Sequence, residues 1–210
     1  DASDSGQELW SFIPQEMLPE LRQLYANDTA TTKHYSLDGP VRVLKYDING
    51  DGTVDAAHGD RVILYFTTGR STAQSRYYAV DVTDKAHPQF LWSISATELP
   101  GLGQTWSSPT VARVTVGSAS QNGQRLVLIF GGGYDSVEDG YSYVNADTVG
   151  NHLYMVDAKT GSLLWSAGPT NASISPTPVS GISSRFSKSC AACAPDCGKV
   201  PACRSWKRSP

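Results

Sequence analysis

Residues 47–55 read Asp-Ile-Asn-Gly-Asp-Gly-Thr-Val-Asp, and oxygen-bearing side chains fall at loop positions 1, 3, 5 and 9. Glycine occupies position 6, where a tight metal loop needs a sharp turn. A hard cation such as Ca²⁺ takes roughly six to eight oxygens, and this spacing wraps Asp47, Asn49 and Asp51 around one point. Thr53 offers its backbone carbonyl, and Asp55 closes the shell directly or through water. Position 12 is His58 rather than the glutamate that completes a helix–loop–helix calcium site. The loop therefore matches such sites in its ligands and not in its flanks. A surface turn rich in Asn, Gly and Asp has a related composition. The match at five positions favours bound Ca²⁺ over a plain turn.

Other reactive patterns are missing. The sequence has no Gly-x-Ser-x-Gly and no Gly-Lys-Ser/Thr after a glycine loop. Gly131-Gly132-Gly133 follows an apolar run but leads into Tyr134, so it is not spelled as a phosphate cradle. His34, His58, His87 and His152 are scattered without metal spacing. His58 reads as an exposed loop residue. The expectation is a non-enzyme.

The elements that hold the loop are legible from apolar runs. Val62–Phe66, Tyr77–Val82 and Phe90–Ser93 are rich in β-branched and aromatic residues and bounded by Gly, Asn, Asp and Pro. The same order recurs in Leu126–Phe130, Leu153–Ala158 and Leu163–Ser166. Each series opens on a proline-led run, Pro40-Val41-Arg42-Val43 and Pro109–Val114, and Pro176-Thr177-Pro178-Val179 starts a third. Four strands per unit at a nearly fixed period predicts an all-β fold, a partial β-propeller of two full four-stranded blades with flanking strands. The calcium loop falls between strands one and two of the first unit. Gly117–Gln124 fills that position in the second without acidic ligands. Pro14–Tyr25 spaces Met17, Leu18, Leu21, Leu24 and Tyr25 as a short amphipathic helix packed on the rim.

The turn Asp157-Ala158-Lys159-Thr160-Gly161 ahead of Trp165 has a mechanical reading. Asp157 and Thr160 bond turn amides, Gly161 supplies positive φ, and Trp165 packs between neighbouring blades. This Asp-x-x-Thr-Gly-x-x-x-Trp pattern resembles the tryptophan-docking repeat of quinoprotein-dehydrogenase-like propellers. Gly6-Gln7-Glu8-Leu9-Trp10 looks like the end of the same unit one blade earlier.

Bulk properties bound the class. The chain has 210 residues and a formal net charge of −3. Residues 1–182 hold 11 Lys and Arg against 19 Asp and Glu, a balance of −8, and residues 183–210 hold 6 against 1, a balance of +5. The acidic body offers no basic face for nucleic acid. No run of about 18 apolar residues exists to span a membrane. Residue 1 is Asp with no leader pattern, so a signal peptide is expected outside this sequence.

Taken together, Gly6–Pro14, the loop 47–55, Tyr77-Tyr78-Ala79-Val80-Asp81-Val82-Thr83-Asp84, Phe130–Ser136 and Leu153–Trp165 resemble the C-terminal propeller of the PilY family of type IV pilus biogenesis factors and tip-associated adhesins. The resemblance covers residues 6–182. It implies a Ca²⁺ site that regulates pilus extension and retraction, carried here by Asp47, Asn49, Asp51, Thr53 and Asp55. Asn49 stands where Asp is commoner, one charge fewer. It further implies partners among minor or major pilins and host-surface receptors, a role in adhesion and twitching motility, and a location at the periplasm, outer membrane or cell surface. In a bacterial protein, the sequons Asn27-Asp28-Thr29 and Asn171-Ala172-Ser173 carry no glycan.

After Ile182 the pattern stops. Residues 183–210 form a basic tail with Cys190, Cys193, Cys197 and Cys203 and no strand alternation. It reads as disordered or out of frame, with zinc or disulfide pairing as alternatives. Two other functions compete with the pilus reading. A quinone-dependent dehydrogenase needs a complete ring of blades around its cofactor. An integrin-like propeller usually repeats its calcium loop in several blades.

Overall fold

The computed structural model describes residues 6–26, 34–71, 74–116, 124–139, 147–169 and 179–180. Two antiparallel sheets build it. The first has the order β1–β2–β3–β4, from β1 (Val41–Tyr46), β2 (Arg61–Thr67), β3 (Arg76–Asp81) and β4 (Gln89–Ser95). The second is made by β5 (Thr110–Val116), β6 (Gln124–Gly131), β7 (Leu153–Asp157) and β8 (Leu163–Ala167), with the two-residue β9 (Val179–Ser180) added beside β5. Neither sheet closes on itself. The expected all-β class and the two four-stranded units are therefore present. Val179, read as the end of a third unit's opening run, pairs with the second sheet through Val116. Pro176 to Pro178 lie outside the described residues.

The repeat extends to the irregularities. Ala79 pairs with Trp92 and Val80 with Phe90, which leaves Leu91 as the extra residue of a bulge. Met155 pairs with Trp165 and Val156 with Leu163, which leaves Leu164 in the same role. A bulge at the same place in both sheets bends the outer strand alike in both.

Strands β2 and β3 are apolar on both faces, which is why they read as continuous runs rather than alternating ones. One face of the first sheet (Ile63, Tyr65, Tyr77, Ala79, Trp92, Ile94) packs on Leu128, Phe130, Tyr154, Val156 and Ala158 of the second. Tyr77 and Phe130 stack across this seam with ring centroids 4.1 Å apart. Tyr65 Oη and Trp92 Nε1 both donate to the Ala158 carbonyl, at 3.0 and 3.3 Å. Burial pushes the Tyr154 phenol up to about 12. Trp165 is half-buried on the second sheet, and the tryptophan between the two sheets is its equivalent in the first, Trp92. It lies against Gly161, whose φ of 71° is allowed there because no Cβ is present. As expected, Asp157 Oδ1 accepts the Lys159 and Thr160 amides at 2.9 and 3.0 Å.

The other face of the first sheet is covered by the N-terminal segment. The Phe12 ring sits 5.5 Å from Phe66, 6.0 Å from Tyr78 and 6.2 Å from Phe90. Trp10 Nε1 donates to the Lys85 carbonyl at 2.9 Å. The expected helix is there as a 3₁₀ turn, Gln15–Met17, followed by α1, Leu18–Ala26. Its packing differs from expectation. Met17 is buried, but Leu18, Leu21, Leu24 and Tyr25 are exposed. The single anchor is fixed by Glu16, which pairs with Arg76 at 3.2 Å.

The tail cysteines, the sequons at Asn27 and Asn171, and residues 117–123 lie outside the described residues. Among the described residues no helix is long and apolar enough to cross a membrane.

Candidate metal centre

The loop is the β1–β2 connection, as the sequence places it. β1 and β2 pair from Val41↔Phe66 to Tyr46↔Arg61, so residues 47–60 must return the chain at one end of the sheet. Its course is written by short-range side-chain-to-amide bonds. Asp47 Oδ1 accepts the Gly50 N–H at 2.7 Å and Oδ2 the Gly52 N–H at 2.8 Å. Asn49 Oδ1 accepts the Asp51 N–H at 3.1 Å, and Asp51 Oδ1 accepts the Thr53 N–H at 2.7 Å. Gly50 and Gly52 take φ of 73° and 85°, left-handed values that side chains avoid. These bonds bring Asp47, Asn49 and Asp51 to the inside of one tight turn, with Asn49 Nδ2 donating to Asp51 Oδ2 at 2.8 Å.

Asp55 behaves differently. Its Oδ1 caps the 3₁₀ turn Ala56–His58 by accepting the Ala57 N–H at 2.8 Å. Its Oδ2 lies 3.3 Å from His58 Nδ1, and both side chains are about half exposed or more. Thr53 is exposed. Among the described residues, no three His, Cys, Asp or Glu side chains converge as a metal would require. The chemistry of the donor set nonetheless fits a hard cation. It is all oxygen, it carries three carboxylates, and each engaged oxygen keeps a lone pair beyond the one that takes an amide.

Positive charge already leans on the loop. Lys45 Nζ donates to the Gly52 carbonyl at 2.7 Å. Arg113 and Lys159 of the second sheet lie 5.2 and 5.7 Å from the centroid of the Tyr46 ring, next to Asp47. Asp47 also lines a cleft of about 380 Å³ between β1 and β5.

The residue that sequence reasoning missed is Asp60. It is 1% exposed and accepts the Ile48 and Asp55 amides, both at 2.9 Å. Those two amide bonds, first Ile48 and then Asp55, hold its carboxyl below the usual carboxylate range. The available signal was its place as the last residue before a strand, with an acidic loop behind it.

Gly132 and Gly133 turn out to be packing glycines, whereas a Cβ at Gly131 would find ordinary contacts with Ser107. A Cβ at Gly133 would run into the Gln104 carbonyl, and one at Gly132 would meet the Gly150 carbonyl oxygen at 2.7 Å. The following Asp135 is buried and accepts the Val137, Thr148 and Val149 amides and the Thr148 hydroxyl. Its carboxyl is held at about 2, chiefly by the Val137 amide.

An all-β chain of two repeated sheets with an acidic loop in the first is similar in sequence to type IV pilus biogenesis factors, in agreement with the resemblance carried by its motifs. Over 159 residues, 75% of the chain, it is 27% identical to the type IV pilus biogenesis factor PilY1 of Pseudomonas aeruginosa. Over 154 residues, 73% of the chain, it is 26% identical to the PilY1 homolog of Xylella fastidiosa. The chain spans about a tenth of these relatives, 11% of each. The crystal structure of the P. aeruginosa PilY1 C-terminal domain aligns with 80% of this chain and 27% of its own, at 24% identity and a TM-score of 0.49. No protein-family model matches.

Proposed function

We propose that the chain is a calcium-binding segment of a type IV pilus biogenesis factor, not an enzyme, and that its two sheets are successive blades of a β-propeller. The observation that supports the calcium reading is the turn Asp47–Thr53, where three side-chain caps, from Asp47, Asn49 and Asp51, and two left-handed glycines fold the chain into a short loop. Asp47, Asn49 and Asp51 would hold the ion through side-chain oxygens, Thr53 through its carbonyl, and Asp55 directly or through water. The ion would supply the positive charge that offsets three neighbouring carboxylates. Asp55 must leave the Ala57 amide or share one oxygen with it.

The pilus role is supported by the sequence similarity to PilY1 factors. On this reading the loop regulates pilus extension and retraction and surface attachment. The partners are minor or major pilins and host-surface receptors, met at the cell surface. The experiment is Asp51→Ala in the full-length parent, scored for surface piliation and twitching. Altered piliation is expected. Normal piliation and motility in a variant shown to have lost calcium would overturn the regulatory reading.

A further inference from the structure

Asp60 is the carboxylate of this region withdrawn from water, at 1% exposure. Its two oxygens serve opposite ends of the loop. Oδ1 takes the N–H of Ile48, the loop's second residue, and Oδ2 takes that of Asp55, its ninth, each at 2.9 Å. Its own N–H donates to the Asp55 carbonyl at 3.3 Å, and Arg61 Nη1 donates to the Asp60 carbonyl at 2.7 Å. A carboxylate taken from water without such bonds would be costly. Here charge-assisted bonds to two backbone amides hold it, and they are stronger than neutral ones.

We infer that Asp60 is the positioning residue of the loop: it clamps residues 48 and 55 together, so that the ligands of a calcium ion are held in place before the ion arrives. This rests on the calcium reading above. The clamp stands in for the acid missing at position 12, where His58 is exposed and turned to Asp55. An unclamped loop would have to close against the repulsion of Asp47, Asp51 and Asp55 and lose chain entropy on binding. With its ends tied, that ordering is already done when the protein folds. Asp60 is not assigned as a ligand, because its carboxylate is buried at 1% exposure while Asn49 and Asp51 are exposed.

The test uses the full 210-residue chain and two probes, CaCl₂ by titration calorimetry and Tb³⁺ by luminescence lifetime in H₂O and D₂O, which counts bound waters. In Asp60→Asn, the new NH₂ must face one of the two amide N–H groups, so one clamp bond is lost. Calcium affinity should fall roughly tenfold, with the Tb³⁺ water count unchanged from wild type. Asp51→Ala, which removes a ligand, should raise that count. A merely structural Asp60 would lower the melting temperature while leaving the affinity of the folded protein alone. Should Asp60→Asn not fold, Asp60→Glu, which keeps the charge with a longer reach, carries the same comparison. No saturable calcium binding by wild type overturns the calcium reading and this inference with it. Binding by wild type with equal affinity in the folded Asp60 variant overturns the clamp alone. Extra Tb³⁺-bound water in that variant makes Asp60 a ligand and also overturns it.

Discussion

Replacing Gly161 with alanine tests how the two sheets are held together. Its φ of 71° places an alanine in the left-handed region, at a cost of about 1–2 kcal/mol. The new Cβ would lie 2.8 Å from Trp92 Cδ2 and 3.1 Å from Cε3 and Cγ, inside the contact distance of real side chains. Trp92 cannot simply retreat. It is buried, bonded through Nε1 to the Ala158 carbonyl, and set against Tyr65 with ring centroids 5.9 Å apart. Forcing it aside adds about 1–3 kcal/mol of overpacking. The whole substitution should therefore cost about 2–5 kcal/mol. In a Trp92→Leu background the ring is gone and only the backbone part, about 1–2 kcal/mol, should remain. Urea unfolding followed by far-UV circular dichroism on the four proteins of the cycle gives the coupling directly. Equal losses in both backgrounds would refute a Trp92–Gly161 contact across the seam.

Stability should fall steeply as the pH drops from about 4 toward 2. Asp135 and Asp60 both have carboxyls held below the usual value, so the folded state binds their protons less readily than the unfolded state. Their contribution is present above the unfolded pKa and is lost as pH falls through the folded one. Asp135→Asn should flatten this dependence in acid melts, and an unchanged profile would count against the assignment. The β1 edge is the second target, because Val41 and Val43 are exposed on this edge strand, which among the described residues pairs only with β2. Val43→Lys should shift the chain toward monomer in sedimentation velocity, whereas an unaltered distribution would place any association elsewhere.

The strands were legible because each is an apolar run bounded by turn residues, and the observed bounds lie within a few residues of those runs. The loop's position was equally legible, since Asp47–Asp55 could only fall between the first two runs. What stayed hidden depends on how elements meet in space. Asp60 gains its role only when β2 begins directly behind the loop and turns a neutral-looking sequence position into a buried acceptor. The stripe Leu18, Leu21, Leu24 and Tyr25 has helical spacing, but spacing does not say whether a surface stands opposite, and only Met17 finds one. Trp92 and Trp165 occupy equivalent positions beside the two bulges, and Trp92 is the one that the second sheet encloses.

The central claim is that residues 47–55 bind calcium through a set of oxygen ligands. Such a set should prefer Ca²⁺ over Mg²⁺, which demands compact octahedral geometry and gives up water reluctantly. Titration calorimetry with each ion, on wild type and on Asp51→Ala, tests this most directly. Saturable Ca²⁺ binding is predicted, with a dissociation constant between about 10⁻⁶ and 10⁻⁴ M. Mg²⁺ should bind more weakly, and the Ca²⁺ heat should be lost in Asp51→Ala. Equal calcium heats in the two proteins would contradict the account.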